Sequence, residues 1–291
     1  MKKYYLSACV LIRVINPFML AELLLYHRMM GVEHFYIFDN RSLYDLSYLL
    51  KGMNDVTLHI FDGEKGQENV LGSIYNFCLN QYRDETEYLV FIDDDEFINF
   101  TNEYESIPQV LRAFNEPDAL MLNWFFMGCG SYRVRPFDKL LIDSNHYSAN
   151  TFNNHTKGIY KTDKCKGFNS PHWGVFDKEC RLVDGTGEAK EYFQGFNQLN
   201  SIPIIWEHHF FIQSFNEFRL KCDRGHVVAA NKRKYDEEVQ QNVEQSKFQN
   251  TMLERWVKKL AEININSPMR ALQVVSGDSS LSPLPVKYLT N

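Results

Sequence analysis

No stretch of this sequence approaches the roughly 20 consecutive apolar residues that a membrane-spanning helix needs. The amino-terminal MKKYYLSACVLIRVINP has two lysines and a short apolar run, but Arg13 and Asn16 interrupt it. No small-residue cleavage site follows, so no secretory signal is expected. The six cysteines, Cys9, Cys78, Cys129, Cys165, Cys180 and Cys222, are scattered and form no CxxC pair. A reduced, cytoplasmic protein is the simplest expectation. Net positive charge is also missing: the formal charge is -6. Without a basic field to attract a phosphodiester backbone, nucleic acid is not expected as a partner. Internal repeats and low-complexity segments are absent as well.

What is present suits a globular enzyme. The 291 residues are 44% hydrophobic and 23% charged, enough to bury one large core. Aromatics are abundant, with 22 Phe, 16 Tyr and 4 Trp, which favours a sheet and an aromatic-lined site. The first 125 residues alternate strand and helix signals. Strands are expected at Tyr4 to Ile12, His34 to Phe38, Val56 to Phe61, Tyr88 to Ile92 and Ala119 to Phe125. Between them, Asn16-Pro17 opens a helix that Gly31 stops. Ser42 with Asp45 predicts a capping box and a helix to about Met53. Helices are also expected from Gln67 to Tyr82 and, capped by Ser106, from Pro108 to Phe114. Such alternation means a mostly parallel α/β sheet flanked by helices.

Residues 131 to 200 lack clear periodicity and predict binding loops, with Gly128 to Gly130 a flexible loop before them. Ile202 to Trp206 and Phe210 to Ile212 are expected strands flanking Glu207-His208-His209. Tyr235 to Ile263 reads as one long helix. Its Arg255, Lys258 and Lys259 could face anionic headgroups, though packing on the main domain or a second subunit is favoured. The expected division is a sheet domain over residues 1–230 and a helical extension over 231–291.

The chemistry is carried by Val90-Phe91-Ile92-Asp93-Asp94-Asp95-Glu96. An apolar strand runs directly into an acidic cluster, where open α/β sheets place ligands. Adjacent carboxylates repel each other unless a cation compensates. Asp93 and Asp95 point to one side of an extended backbone, so both could reach one Mg²⁺ or Mn²⁺. The alternative is a solvated acidic turn. In Glu207-His208-His209, neighbouring side chains of a strand face opposite ways, so only one histidine should face the site. A neutral imidazole there would suit Mn²⁺.

The segments YHRMMGVEHFYIFDN, EYLVFIDDDEFINF, SIPQVLRAF, ALMLNWFFMGCGSYRVRP and HHFFIQSFNEFRLKCDRG, in that order, resemble glycosyltransferase family 92. The resemblance implies a GT-A fold and an inverting transfer of a hexose from a nucleotide sugar, often UDP-linked. It implies that Asp93 and Asp95 bind the metal, with His209 closing on metal and diphosphate. Asp93 and Asp94 would meet the donor, and Asp39 and Asn40, after the second strand, its nucleoside. Trp124, Gly128 and Gly130 match the loop where sugar and acceptor would meet, and Arg135 a phosphate or acceptor clamp. One departure stands out. The family's Lys-Asn-Glu after the first strand is Val14-Ile15-Asn16 here, with Arg13 close by as a substitute. The expected acceptor is a glycan or lipid-linked sugar, which would bring the chain to the inner face of a membrane.

An inverting transfer needs a general base at the acceptor hydroxyl. Asp143 is the first candidate and His172, in Ser170-Pro171-His172-Trp173, the second. Two other readings remain open at this point: a metal-dependent phosphohydrolase or nucleotidyltransferase, and a degenerate glycosyltransferase serving as a scaffold.

Overall fold

A computed structural model describes residues 2–14, 16–61, 70–170, 172–191, 195–224 and 235–281. In chain order the first half comprises β1 (Tyr4–Ile12), α1 (Pro17–Met29), β2 (His34–Asp39), α2 (Leu46–Leu49), β3 (Val56–Ile60), α3 (Val70–Tyr82), β4 (Thr86–Ile92), β5 (Glu96–Phe100), α4 (Ile107–Ala113) and β6 (Ala119–Gly128). There follow α5 (Leu141–Ser144), β7 (Tyr147–Ser148), β8 (Thr156–Lys161), β9 (Phe168–Ser170), β10 (Trp173–Gly174), β11 (Leu182–Val183), β12 (Ala189–Lys190) and β13 (Ile205–His209). The chain then runs through α6 (Phe215–Arg224), α7 (Tyr235–Gln245), β14 (Phe248–Gln249), α8 (Glu254–Glu262) and α9 (Pro268–Ser276).

The central sheet has the order β12-β11-β6-β8-β4-β1-β2-β3. Strands β3, β2, β1 and β4 are mutually parallel. Strand β8 is inserted antiparallel between β4 and β6. Both faces are covered, as a parallel sheet requires. Along β1, Leu6, Ala8, Val10 and Ile12 enter one apolar cluster, while Cys9 and Leu11 enter the other. This is the expected α/β architecture, a mostly parallel sheet between helices. A second, short ladder branches from it, with β13 lying antiparallel to β5 and parallel to β6.

The caps explain the boundaries. Asn16 accepts from the Phe18 N–H at the start of α1 and Pro17 occupies the first turn. Gly31, at φ 95°, turns the chain out of that helix, a conformation that suits glycine. Ser106 caps α4 as expected. The segment after β2 differs: Asp45 itself is the cap and α2 ends at Leu49.

Three readings of the second half are corrected. The run from Tyr235 to Ile263 is two helices separated by β14. Phe248 pairs with Ser148 and Gln249 with Tyr147, and the Asn250 side chain donates to Ser148 Oγ at 3.1 Å. Those strand contacts take the backbone out of the helix. Glu207-His208-His209 lies inside β13, whereas residues 210 to 212 form no strand. Gly128 to Gly130 is not a free loop: Gly128 ends β6, and the Cys129 and Gly130 N–H groups donate to Asn242 and Ser246. The boundary expected at 230/231 lies outside the described residues. Trp256, Leu260 and Leu272, from α8 and α9, sit in the same apolar cluster as β1. No helix among the described residues is long and apolar enough to cross a membrane.

One buried group gives the fold a pH dependence. His27 is fully buried; its Nδ1–H donates to the Leu23 carbonyl at 2.9 Å, and its Nε2 accepts the Ile98 N–H at 3.3 Å. Burial pushes its pKa down from 6.5 to about 4, against a smaller opposing pull from the Leu23 carbonyl. The unfolded chain therefore takes up the proton first as pH falls. The stability due to neutral His27 is complete above pH 6.5 and is lost progressively toward pH 4. The total is about 3 kcal/mol. Urea titrations from pH 7.5 to 4 should show this decline, and His27→Gln should make it shallower, leaving the share of the equally buried His208, whose pKa burial lowers to about 3. Equal slopes in both proteins would remove His27 as the source.

Candidate functional site

The site forms where the carboxyl ends of β4 and β6 meet the start of β8 and the end of β13. Because β8 is antiparallel, its first residues lie beside the last residues of β4. Lys157 is thereby delivered to the acidic cluster, paired with Leu122 of β6. Its side chain is 1% exposed, with Nζ 3.0 Å from Asp93 Oδ2 and 3.5 Å from Glu96 Oε2. The Tyr75 hydroxyl stands 3.4 Å away. Glu96 also accepts the Asp93 N–H at 2.7 Å, which closes the turn.

The carboxylates divide by environment. Burial raises Glu96 to about 8, against the pull of Lys157 and with Asp93 and Asp95 adding to the rise. Glu207 is raised well above its ordinary range by burial first and Glu96 next. Asp95 behaves oppositely. Burial favours its neutral form, but Lys221 and His209 outweigh it and hold the pKa well below the carboxylate range. Lys157 stays charged although buried, because Asp93 and Glu96 overcome its desolvation.

Strand β13 sorts its three consecutive side chains between two faces. Glu207 and His209 turn toward the site. Glu207 accepts the Trp124 indole N–H at 2.9 Å. His209 Nε2 stands 3.6 Å from Asp95 Oδ1 because Glu96 and His209 are directly paired. His208 turns the other way, its Nε2 accepting the Trp206 N–H at 3.0 Å and the Asn99 amide at 3.1 Å. Trp124 anchors an aromatic group. His155 stacks on it at 5.3 Å, and His209 and His172 meet it edge-on at 4.5 and 5.5 Å.

The other expected residues are placed as follows. Asp94 lines a small pocket with Val14, Asn16, Gln213 and Lys221. Arg13 is half-buried just past β1. Asp39 accepts the Ser42 N–H at 2.9 Å, and the Asn40 N–H donates to the Ile12 carbonyl. Both therefore shape the loop beside β1. Arg135 is buried in a 3.2 Å pair with Glu217, which also accepts from Asn16 and Ser214. One nitrogen of its guanidinium is thus engaged, while Nε has no hydrogen-bond partner among the described residues. Gly130, at φ 59°, lies under the Tyr147 ring, which a Cβ would approach to 3.0 Å. Asp143 pairs with Lys139 at 3.7 Å on α5. His172 Nδ1 lies 3.1 Å from the Thr156 carbonyl; as the donor there, it leaves the lone pair on Nε2.

The three groups expected to share Mn²⁺ or Mg²⁺ are not gathered on one point. Asp95 is held by Lys221 and faced by His209, whereas Asp93 is held by Lys157. Among the described residues, no three His, Cys, Asp or Glu side chains form a set that could hold an ion. As arranged, these residues do not fit a resident metal.

The profile of glycosyltransferase family 92 matches residues 4–263. The chain belongs to glycosyltransferase family 92. A family 92 protein of Oryza sativa subsp. japonica is 29% identical over 118 residues, covering 39% of this chain and 19% of that protein. One of Ricinus communis is 29% identical over 102 residues, 34% of this chain and 18% of that protein. The matched stretch spans about a fifth of the length of those curated relatives. Among solved structures, S. aureus TarS 1-349 in complex with UDP-GlcNAc aligns over 54% of this chain and 45% of that one. Its identity is 19% and its TM-score 0.36. HddC of Yersinia pseudotuberculosis aligns over 62% and 90%, at 12% identity and a TM-score of 0.36.

Two charged groups of this family 92 site escape a reading of motifs. Lys157 lies in His155-Thr156-Lys157-Gly158-Ile159-Tyr160, whose alternation would have placed a lysine on the same strand face as Ile159. Lys221 is three residues past Phe218, on the buried stripe of α6. Both signals are periodicities.

Proposed function

We propose that this chain transfers a hexose, with inversion, from a nucleotide sugar to a glycan or glycolipid acceptor. The family resemblance makes a UDP-linked donor the first choice. Polysaccharide or glycoconjugate assembly on the cytoplasmic side of a membrane belongs to the same proposal. The observation that carries it is a group of buried polar atoms at one end of the sheet: Glu96 Oε1, Thr156 Oγ1, Glu207 Oε1 and His209 Nδ1. None of them has a hydrogen-bond partner among the described residues. Buried polar atoms are mostly matched; others without partners, such as Ser7 Oγ, His34 Nδ1 and Arg83 Nε, occur elsewhere in the fold, and what distinguishes these four is that they gather beside the acidic turn.

In the proposed reaction the acceptor oxygen bonds to C1 of the sugar as the bond from C1 to the diphosphate breaks. The acceptor proton passes to a base on the opposite face. Asp143 was the first candidate, and the geometry favours His172. Its Nε2 lone pair stands in the aromatic group around Trp124. Burial, with Lys157 adding, lowers its pKa and keeps it neutral. Mn²⁺, Mg²⁺ or a chelator is a variable of the assay, and no step is routed through an ion.

A panel of UDP-, GDP-, CDP- and ADP-sugars with and without sugar acceptors tests the reading. Transfer is expected, whereas release of free sugar regardless of acceptor would indicate a phosphohydrolase. His172→Ala should lower kcat on the order of 100-fold with little change in donor KM. It should also erase the acidic limb of the pH profile, whose midpoint should lie below 6.5. An unchanged limb would return the role to another group.

A further inference from the structure

We propose that Lys221 is the cation that meets the donor's diphosphate, with Asp95 holding its ammonium in place. The inference rests on the nucleotide-sugar reading above and deepens it. It starts from the disagreement between the acidic triplet and the arrangement of its side chains.

Both outer aspartates of Asp93-Asp94-Asp95 already carry a lysine. Lys157 lies against Asp93 from beneath the site and is shut off from solvent. Lys221 contacts Asp95 Oδ2, approaches the Phe211 carbonyl at 3.5 Å, and lies 5.0 Å above the Phe211 ring. A divalent ion entering here would meet carboxylates whose charge is already balanced, and two ammonium groups that repel it.

The two lysines differ in access. Lys157 has no path to a ligand. Lys221 belongs to the wall of the small pocket that Asp94, Asn16 and Gln213 also line. That pocket lies just past the end of β1 and beside the end of β4, where a parallel sheet places its ligand. Its other polar walls are the amides of Asn16 and Gln213 and the carboxylate of Asp94, which is itself engaged. An ammonium fixed by a buried carboxylate loses little mobility when an anion arrives; since Asp95 balances its charge, what is preset for a diphosphate is the direction of its N–H donors. The three members come from distant parts of the chain: Asp95 after β4, Lys221 from α6 and Asn16 at the cap of α1.

The test measures binding of UDP, GDP, CDP, ADP and inorganic pyrophosphate by calorimetry, in EDTA and in Mn²⁺. Pyrophosphate reads the charged site without regard to base. At least one nucleoside diphosphate is expected to bind in EDTA with a Kd within tenfold of its value in Mn²⁺. Lys221→Met should weaken that binding at least tenfold, and Lys221→Arg should restore most of it. Because Lys221→Met strands a buried Asp95 carboxylate, the double variant Lys221→Met with Asp95→Asn removes the unpaired charge. It should fold, yet bind as weakly as the single variant. Binding that requires Mn²⁺ and persists in the double variant would overturn the role of Lys221 while leaving the glycosyltransferase reading intact. Failure of every nucleotide to bind in either condition would overturn both.

Discussion

Lys157→Met is expected to destabilise the fold by roughly 3–5 kcal/mol. The ammonium lies among Asp93, Glu96 and Glu207 and is fully buried. Removing it leaves Asp93, Glu96 and Glu207 facing one another with no described cation in contact, so each must take up a proton or stay charged without a partner. Asp93 can turn partly to solvent, since its side chain is 36% exposed; Glu96 cannot. The partner variant isolates the cause. Glu96→Gln keeps the shape of the side chain and drops its carboxyl, and Lys157 still has Asp93, so this change alone should cost little. Combined with Lys157→Met, the same change should recover a large part of the loss. Urea denaturation of the four proteins gives the coupling directly. A single Lys157→Met variant within about 1 kcal/mol of wild type would show that the ammonium carries no structural charge.

The second large effect separates two adjacent histidines. His208→Ala removes the acceptor of the Trp206 and Asn99 side chains and opens a void between β5 and β6. Stability should fall by about 2–4 kcal/mol, with kcat retained in whatever remains folded. His209→Ala should do the reverse. It loses ring contacts with Trp124 and Phe126 and its approach to Asp95. Stability should change by only about 1 kcal/mol, while turnover falls on the order of 100-fold through displaced groups. Thermal melts and initial rates on the same preparations separate the two. Parallel losses of stability and rate in both variants would mean that the strand's two faces do not divide structure from chemistry.

That division could be read from the sequence, because it needs only the alternation of a strand and the acidic turn after an apolar run. The sheet up to Phe125 was legible for the same reason: apolar strands, an Asn-Pro helix start and a glycine stop are local signals. What could not be read depends on pairing between distant segments. Strand β8 has an ordinary alternating pattern, yet its place between β4 and β6 follows from the sheet's topology. Lys157 consequently arrives at Asp93 unannounced. Arg135, which the family resemblance marks as a clamp, has surroundings that sequence could not show either: it pairs with Glu217, which also accepts from Asn16 and Ser214. The break between α7 and α8 was hidden for a related reason. The apolar spacing from Val239 to Ile263 tolerates a helix, and only the pairing of β14 with β7 rules it out.

Insertion of β8 also sets an order of events during synthesis. The acidic tip of β4 leaves the ribosome 64 residues before the lysine that neutralises Asp93. Strands β1 to β4 are joined by short crossovers and can associate as they emerge. The turn at the end of β4, however, would carry Asp93, Asp94 and Asp95 without the lysine that faces Asp93. A nascent chain halted before residue 157 should therefore resist compaction at that turn. The last strand to enter the middle of the sheet would complete its hydrogen bonding and neutralise Asp93 together, with Asp95 left to Lys221 of α6.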